Sequence, residues 1–276
     1  PKQILLCKAL GRPVPVFGHL PMILGPDGKR LSKRHGATAV ESYGAEGILP
    51  AAMVNFLALL GWSPGDDQEL FSLQELVERF SMERVLKKGS VFDTEKLLWF
   101  NGQHLGKMDA RPIQDELERS WSTMDSVPSG PRVQLSEDEF ARLIEALKPR
   151  SRTASEMADQ ALPFVFQELA YEAKALEKTW YKDPGATAVR LEAALDVVRD
   201  VEWTSDGLET GLRAAAERLG VGAGKLFQPL RSALTGRSAS PGIFDVLLIL
   251  GRKRSIERLE QAIPMVKERV ETPASE

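Results

Sequence analysis

From Gly44 almost to the end of the chain, apolar residues return at every third or fourth position, and no segment alternates apolar with polar as a half-buried strand must. Leu49, Met53, Phe56, Leu57 and Leu60 make one such helical stripe, with Gly61 expected as its C-terminal glycine. Ser72-Leu73-Gln74-Glu75 and Ser136-Glu137-Asp138-Glu139 each place a hydroxyl three residues ahead of a carboxylate, the capping-box spacing. Asp93 opens a further capped amphipathic run through Phe100. The same periodicity predicts helix over 155–175, 187–198, 205–219 and 243–263. Before residue 40 the pattern differs: Val14 to Leu24 is short, apolar and broken by prolines, and reads as a strand or two between turns. The expected fold is mainly α, a short mixed α/β segment followed by an all-helical body.

At 276 residues the chain exceeds the roughly 100–150 of one ordinary domain. Three stretches break the periodicity: Gly25-Pro26-Asp27-Gly28, Ser126 to Pro131 and Lys182-Asp183-Pro184-Gly185. They suggest three regions, 1–40, 41–130 and 131–276, the last in two subdomains with a break near 183–205. Pro1 to Leu6 reads as the middle of a longer sequence, and the tail after Thr272 reads as disordered.

The residue inventory excludes several classes. A lone Cys7 rules out an internal disulfide and any multi-cysteine zinc site. Three scattered histidines, His19, His35 and His104, argue against a histidine-built metal centre, so no protein-held metal is expected. No apolar run approaches the ~20 residues of a membrane span, and a cytoplasmic chain is expected. The formal net charge of −3 conceals a division. Residues 1–40 carry +6 and residues 211–276 carry +4, leaving −13 between them. Basic ends suit a protein that meets a polyanion at separated places, because binding follows local rather than total charge; ordinary surface variation gives the same numbers.

The densest chemistry lies between Gly25 and Gly36, where a Gly/Pro/Asp turn presents Lys29, Arg30, Lys33 and Arg34 around Ser32. Cations on a loop can neutralise charge developing on a polyphosphate. A solvated basic turn has the same composition. The spacing is not that of a Walker loop.

Arg30-Leu31-Ser32-Lys33-Arg34-His35-Gly36 resembles the KMSKS loop of class I aminoacyl-tRNA synthetases, in the K-L-S-K-R-H-G form of bacterial glutamyl-tRNA synthetases. The likeness extends to Pro1-Lys2-Gln3-Ile4-Leu5-Leu6, His19-Leu20-Pro21, Ala51 to Trp62 and Phe92 to Trp99. It continues in Pro229-Leu230-Arg231-Ser232-Ala233-Leu234-Thr235-Gly236 and Pro241-Gly242-Ile243-Phe244. Arg30 stands where the family usually has lysine, a planar fork in place of a point charge.

The resemblance implies an enzyme that joins ATP and L-glutamate into an adenylate and passes glutamate to tRNA(Glu), with Mg²⁺ accompanying ATP. Lys33 then neutralises the ATP phosphates, Arg30 and Arg34 assist, and Ser32 shapes the loop. Residues 1–40 become the end of a catalytic domain, 41–130 a stem-contact region and 131–276 an anticodon-binding region. Arg231 matches the family arginine that reads the end of the anticodon. Arg152 and Arg150 are weaker candidates for a second anticodon contact, or a favourable helix end. Lys87 and Lys88 suit the acceptor stem and the close of a helix at once. Arg252-Lys253-Arg254 with Arg237 form either a phosphate contact or a solvated cluster. Trp62, Trp99, Trp121, Trp180 and Trp203 are expected to pack rather than stack on bases. The chain has no H-x-G-H motif, so it is expected to be a piece of a monomeric enzyme, unable to form adenylate alone. A non-catalytic tRNA- or protein-binding module derived from the same family is the alternative.

Overall fold

The helix starts written into the sequence are closed by the bonds their spacing demands. Ser72 Oγ accepts the Glu75 N–H at 3.2 Å while Glu75 accepts the Ser72 N–H at 2.7 Å, opening helix α4 (Leu73–Arg79). Ser136 and Glu139 repeat the exchange at 3.3 and 2.8 Å to open α7 (Glu137–Leu147). Asp93 accepts the Lys96 N–H at 3.1 Å ahead of α5 (Thr94–Lys107); Asp183, which read only as part of a break, also caps a helix, accepting from Ala186 ahead of α10 (Pro184–Asp200), with Pro184 in the first turn. Each cap is worth about 1 kcal/mol.

This computed structural model describes residues 1–32, 34 and 39–271, so Lys33, His35, Gly36 and the tail from Thr272 lie outside the described residues. The chain divides into two units, Pro1–Ala45 with Pro50–Phe100 and Glu46–Leu49 with Asn101–Glu276.

The first unit contains α1 (Lys2–Ala9), α2 (Val40–Ala45), α3 (Pro50–Leu59), α4 and the start of α5, with two strands of two residues each. β1 (Ile23–Leu24) pairs in parallel with β2 (Ser90–Val91), in register Ile23 with Ser90 and Leu24 with Val91. Of the Val14–Leu24 segment expected as strand, only β1 forms; β2 is too short to show alternation, and the sequence reading did not mark it. The core is aromatic: Phe92 lies 5.0 Å from Phe56 and 5.6 Å from Tyr43, and Trp62 packs on Phe71 at 6.0 Å. Fully buried Asn55 ties α3 to the following loop, accepting the Phe71 N–H and donating to the Glu69 carbonyl, both at 2.9 Å. Gly61 is not the left-handed cap expected of it; α3 ends at Leu59. Glycine fits there because a Cβ would sit 3.3 Å from Pro21. Helix α1 buries none of its residues, and Leu5, Leu6 and Leu10 are exposed.

The second unit is helical. α6 (Ala110–Trp121) packs on α8 (Ala154–Val165), and α10 and α12 (Ala223–Thr235) pack on α13 (Ile243–Glu271), beside α11 (Ser205–Arg218). Two predicted helices are broken. The 155–175 run stops at Val165 and resumes as α9 (Ala173–Thr179), because Val133 and Gln167 pair main chain across the gap, to Val165 and Pro131. In α13 Gly251 takes φ 75°, a left-handed conformation that interrupts the helix inside the 243–263 run. Trp180 is fully buried and donates its indole N–H to the Pro229 carbonyl at 3.1 Å.

Candidate functional site

The basic loop stands on a tight hairpin. The Gly28 N–H donates to the Gly25 carbonyl at 3.0 Å, the Gly25 N–H to Lys29 at 2.7 Å and the Leu31 N–H to Ile23 at 2.9 Å. Gly28 takes φ 71°, the left-handed position that ends a three-residue hairpin loop. β1 is therefore flanked on one side by Arg30–Leu31 and on the other by β2. Asp27 accepts the Lys29 N–H at 3.0 Å and meets Arg34 at 3.5 Å, an exposed pair worth about 0–1 kcal/mol. Lys29, Arg30 and Arg34 are exposed and Ser32 is half-buried. Lys33, the residue given the central role by resemblance, lies outside the described residues.

Lys87 and Lys88 are exposed in the loop between a single 3₁₀ turn (Met82–Arg84) and β2. They close no α-helix, which removes one of their two expected roles. The β1–β2 pairing brings this second basic segment to the same small sheet as Lys29 and Arg30, a juxtaposition the sequence did not show. Gly89 permits it, since a Cβ there would lie 2.9 Å from the Met22 carbonyl.

In the second unit Arg231, on α12, is half-buried. Its Nη1 donates to the Ser240 carbonyl at 2.9 Å, to Ser240 Oγ and to the Pro241 carbonyl. Burial, and to a lesser degree the neighbouring Arg150, hold its pKa below the usual arginine value. Arg150 is exposed, with its carbonyl accepting from Gln160 at 3.2 Å. It lines a 530 Å³ cavity together with Gln160, Glu172, Arg237 and Ser240. Arg152 does not line that cavity; its N–H donates to Glu156 at 2.7 Å and its carbonyl accepts from the buried Asn101 at 2.7 Å. The fold thus sets Arg150, and not Arg152, beside Arg231.

The Arg252–Arg254 cluster is not solvated as a whole. Arg252 donates to the Arg199 and Val201 carbonyls at the end of α10 and stacks 5.3 Å from Trp203. Arg254 donates to Phe164 at 2.8 Å and Ile249 at 2.9 Å. Lys253 alone of the three points outward, 90% exposed. Arg237 is held by Asp159 through two bonds of 2.6 and 3.1 Å, with Glu172 at 3.6 Å. These guanidiniums satisfy helix-end carbonyls or carboxylates, which a charge run in the sequence cannot distinguish from an exposed patch. Of the five tryptophans only Trp99 is exposed, and it packs edge-on to Phe100 at 5.1 Å.

A larger cavity of 870 Å³ lies between α6 and α7, lined by Asp115, Glu118, Glu137 and Asp138 against Arg111 and Arg132. Its acidic balance repels a polyanion, so the basic sites are elsewhere. Among the described residues no helix is long and apolar enough to cross a membrane.

Comparison with known proteins agrees with this division. Residues 1–99 match the family model described as tRNA synthetases class I (E and Q), catalytic domain, and residues 114–272 match the anticodon binding domain model. The glutamate–tRNA ligase of Moorella thermoacetica is 40% identical over 273 residues, 97% of this chain and 54% of the relative. That of Desulforudis audaxviator is 39% identical over 268 residues, 96% of this chain and 53% of the relative. A crystal structure of a glutamate tRNA ligase from Elizabethkingia meningosepticum, in complex with its amino acid, superposes with a TM-score of 0.76 at 29% identity. It covers 95% of this chain and 54% of that one. The chain spans about half the length of the curated relatives it matches.

Proposed function

The chain belongs to the glutamate–tRNA ligase family of class I synthetases, and we propose that it supplies the ATP loop and the tRNA-holding body of an enzyme that charges tRNA(Glu) with glutamate. One observation carries the reading: separate basic sites, the hairpin bearing Lys29 and Arg30 and the neighbouring pair Arg231 and Arg150, occur in the units that match the catalytic and anticodon-binding models.

In this mechanism the exposed Arg30 and Arg34, with Lys33, meet the phosphates of Mg²⁺-bound ATP as charge moves toward the leaving pyrophosphate. They act as cations and not as nucleophiles, lowering the barrier only where charge develops. Lys87 and Lys88 approach the acceptor-stem backbone. Arg231 presents its guanidinium, already oriented through Nη1, to an unstacked anticodon base, the usual way single-stranded loops are read. Arg150 is the preferred second contact because it shares the cavity with Ser240, whereas the backbone of Arg152 serves to anchor the loop. The enzyme is assigned to the cytoplasm as a monomer, with metal entering only alongside ATP.

The 276 residues contain no H-x-G-H motif, so this chain by itself binds tRNA without making adenylate. Detectable ATP–pyrophosphate exchange by the chain alone would overturn that part. tRNA affinity is expected to fall steeply with salt, each displaced counterion adding about −0.7 to −0.9 to the log–log slope. Arg231→Ala should lower the preference for tRNA(Glu) over other tRNAs by roughly 5- to 150-fold, the worth of one bidentate base contact. An unchanged preference removes Arg231 from the reading role.

A further inference from the structure

Arg237 looks from its sequence like one more phosphate-binding cation, and its surroundings say otherwise. Its side chain is only 19% exposed and faces two carboxylates, Asp159 at 2.6 Å and Glu172 at 3.6 Å. One cation against two anions leaves a net negative group, which a phosphate avoids. The backbone of the same residue is held as firmly. Ser232 Oγ donates to its carbonyl at 3.2 Å, and its N–H donates to Thr235 Oγ1 at 3.3 Å. Ser232 is in turn reached by Thr179 Oγ1 at 2.9 Å.

The turn that Arg237 begins leads directly to Arg231. Gly236 ends α12 in the left-handed conformation, with φ 70°, and its carbonyl accepts the Glu172 N–H at 2.9 Å. Four residues after Gly236 the chain reaches Ser240 and Pro241, which accept every hydrogen bond described for the Arg231 guanidinium. The segment Ser238–Ala239–Ser240 lines the cavity with no helical ladder of its own. Ser240 and Pro241 are themselves buried, and the turn that carries them is anchored at Arg237, where α8, the start of α9 and the end of α12 are joined by one side chain.

We propose that Arg237 is a positioning residue for tRNA discrimination, clamped by Asp159 and Glu172 so that Ser240 and Pro241 hold the Arg231 guanidinium in its reading orientation. Releasing the clamp lets the 238–241 turn relax, Arg231 loses its fixed Nη1 contacts, and the cost of ordering its side chain returns at the moment of binding. The effect is on the choice between tRNAs more than on the attraction to any of them, because no phosphate contact is lost. This inference rests on Arg231 being the reader.

The test is a double-variant cycle on the full chain, measuring dissociation constants for tRNA(Glu) and for a tRNA with a different anticodon over a salt series. Arg237→Ala is expected to lower the preference about 3- to 10-fold. The double variant with Arg231→Ala should be no worse than Arg231→Ala alone, and the salt slope should stay unchanged. Arg237→Lys, which keeps an ion pair to Asp159, should recover most of the preference. Asp159→Asn reaches the clamp from α8 and should lower it in the same direction, with circular dichroism checking that each variant is folded. If Arg231→Ala lowers the preference but Arg237→Ala and Asp159→Asn leave it intact, the clamp is wrong and the reader stands. Multiplying losses in the double variant, or a slope shallower by one phosphate, give Arg237 a tRNA contact of its own and also overturn the proposal. If Arg231→Ala changes nothing, the reader fails and the clamp with it.

Discussion

The basic side chains singled out in the two units are put to different uses. In the first, Lys29, Arg30, Arg34, Lys87 and Lys88 stand exposed on turns, and the pair Arg34–Asp27 is itself solvent-accessible. In the second, Arg252, Arg254 and Arg258 turn inward toward the ends of α8, α10 and α12, and Arg237 turns toward the carboxylates of Asp159 and Glu172. The second unit terminates several helices against one another, and every helix end leaves carbonyls without an intrahelical partner. A long cationic side chain is one of few groups able to satisfy two or three of them at once. Charge is available for a polyanion only where the backbone has not already claimed it.

Arg258 is the strongest test of that difference. It is 5% exposed, and its guanidinium donates to Leu234, Pro163 and Phe166, carbonyls at the ends of α12 and α8. Burial, with Arg254 nearby, pushes its pKa down to about 10, so it remains charged at neutral pH and depends on those carbonyls. Arg258→Ala is expected to cost about 3–5 kcal/mol in denaturant unfolding, because three buried acceptors lose their donor. Arg30→Ala, on the exposed hairpin, should stay within about 0.5 kcal/mol. Comparable losses at both positions would erase the contrast.

Two glycines sharpen it further at nearly the same backbone angle. Gly28 has φ 71° and Gly236 φ 70°, and alanine pays about 1–2 kcal/mol for that conformation at either. A Cβ on Gly28 meets nothing within 4 Å, whereas on Gly236 it would lie 2.0 Å from the Ala170 carbonyl. Gly28→Ala should therefore cost only the conformational term. Gly236→Ala should cost roughly 2–5 kcal/mol, since backbone must move as well. Equal thermal shifts would mean that the second unit's turn is not pressed against its neighbour.

What the sequence disclosed follows from how far each interaction reaches along the chain. The caps at Ser72, Asp93 and Ser136 span three residues and were legible, as was the Gly25–Gly28 turn, whereas Asp183 read only as part of a break. The break in α13 at Gly251 was not, because the apolar period continues across it and only the backbone angle reveals it. Strand β2, of two residues, carries no alternation and exists through its pairing with a segment 67 residues earlier. The basic positions were visible as charges, and motif resemblance singled out Arg231. Its acceptors at Ser240 and Pro241 lie within ten residues but follow no helical or strand spacing. The pairing of Arg237 was not legible, because its partner Asp159 is 78 residues away.

The smallest expected effect separates the units by pH. His104, in α5 and within the second unit, is partly buried; burial, and then Lys107 one turn on, lower its pKa from 6.5. Just below pH 6.5 the unfolded chain binds a proton that the folded chain refuses, so stability falls with acidification through that window. Asp66, in the first unit, has its pKa lowered by the Arg79 guanidinium, which donates to it, and then by the Gln68 N–H. Its stabilisation is present above pH 3.8 and is lost only as pH drops through its lower folded value. Thermal midpoints measured from pH 7.5 down to 5 should therefore fall less in His104→Gln than in the parent chain, while Asp66→Asn should leave that slope alone and act only below about pH 4. A slope that survives His104→Gln unchanged would place the acid-sensitive contact elsewhere in the helical unit.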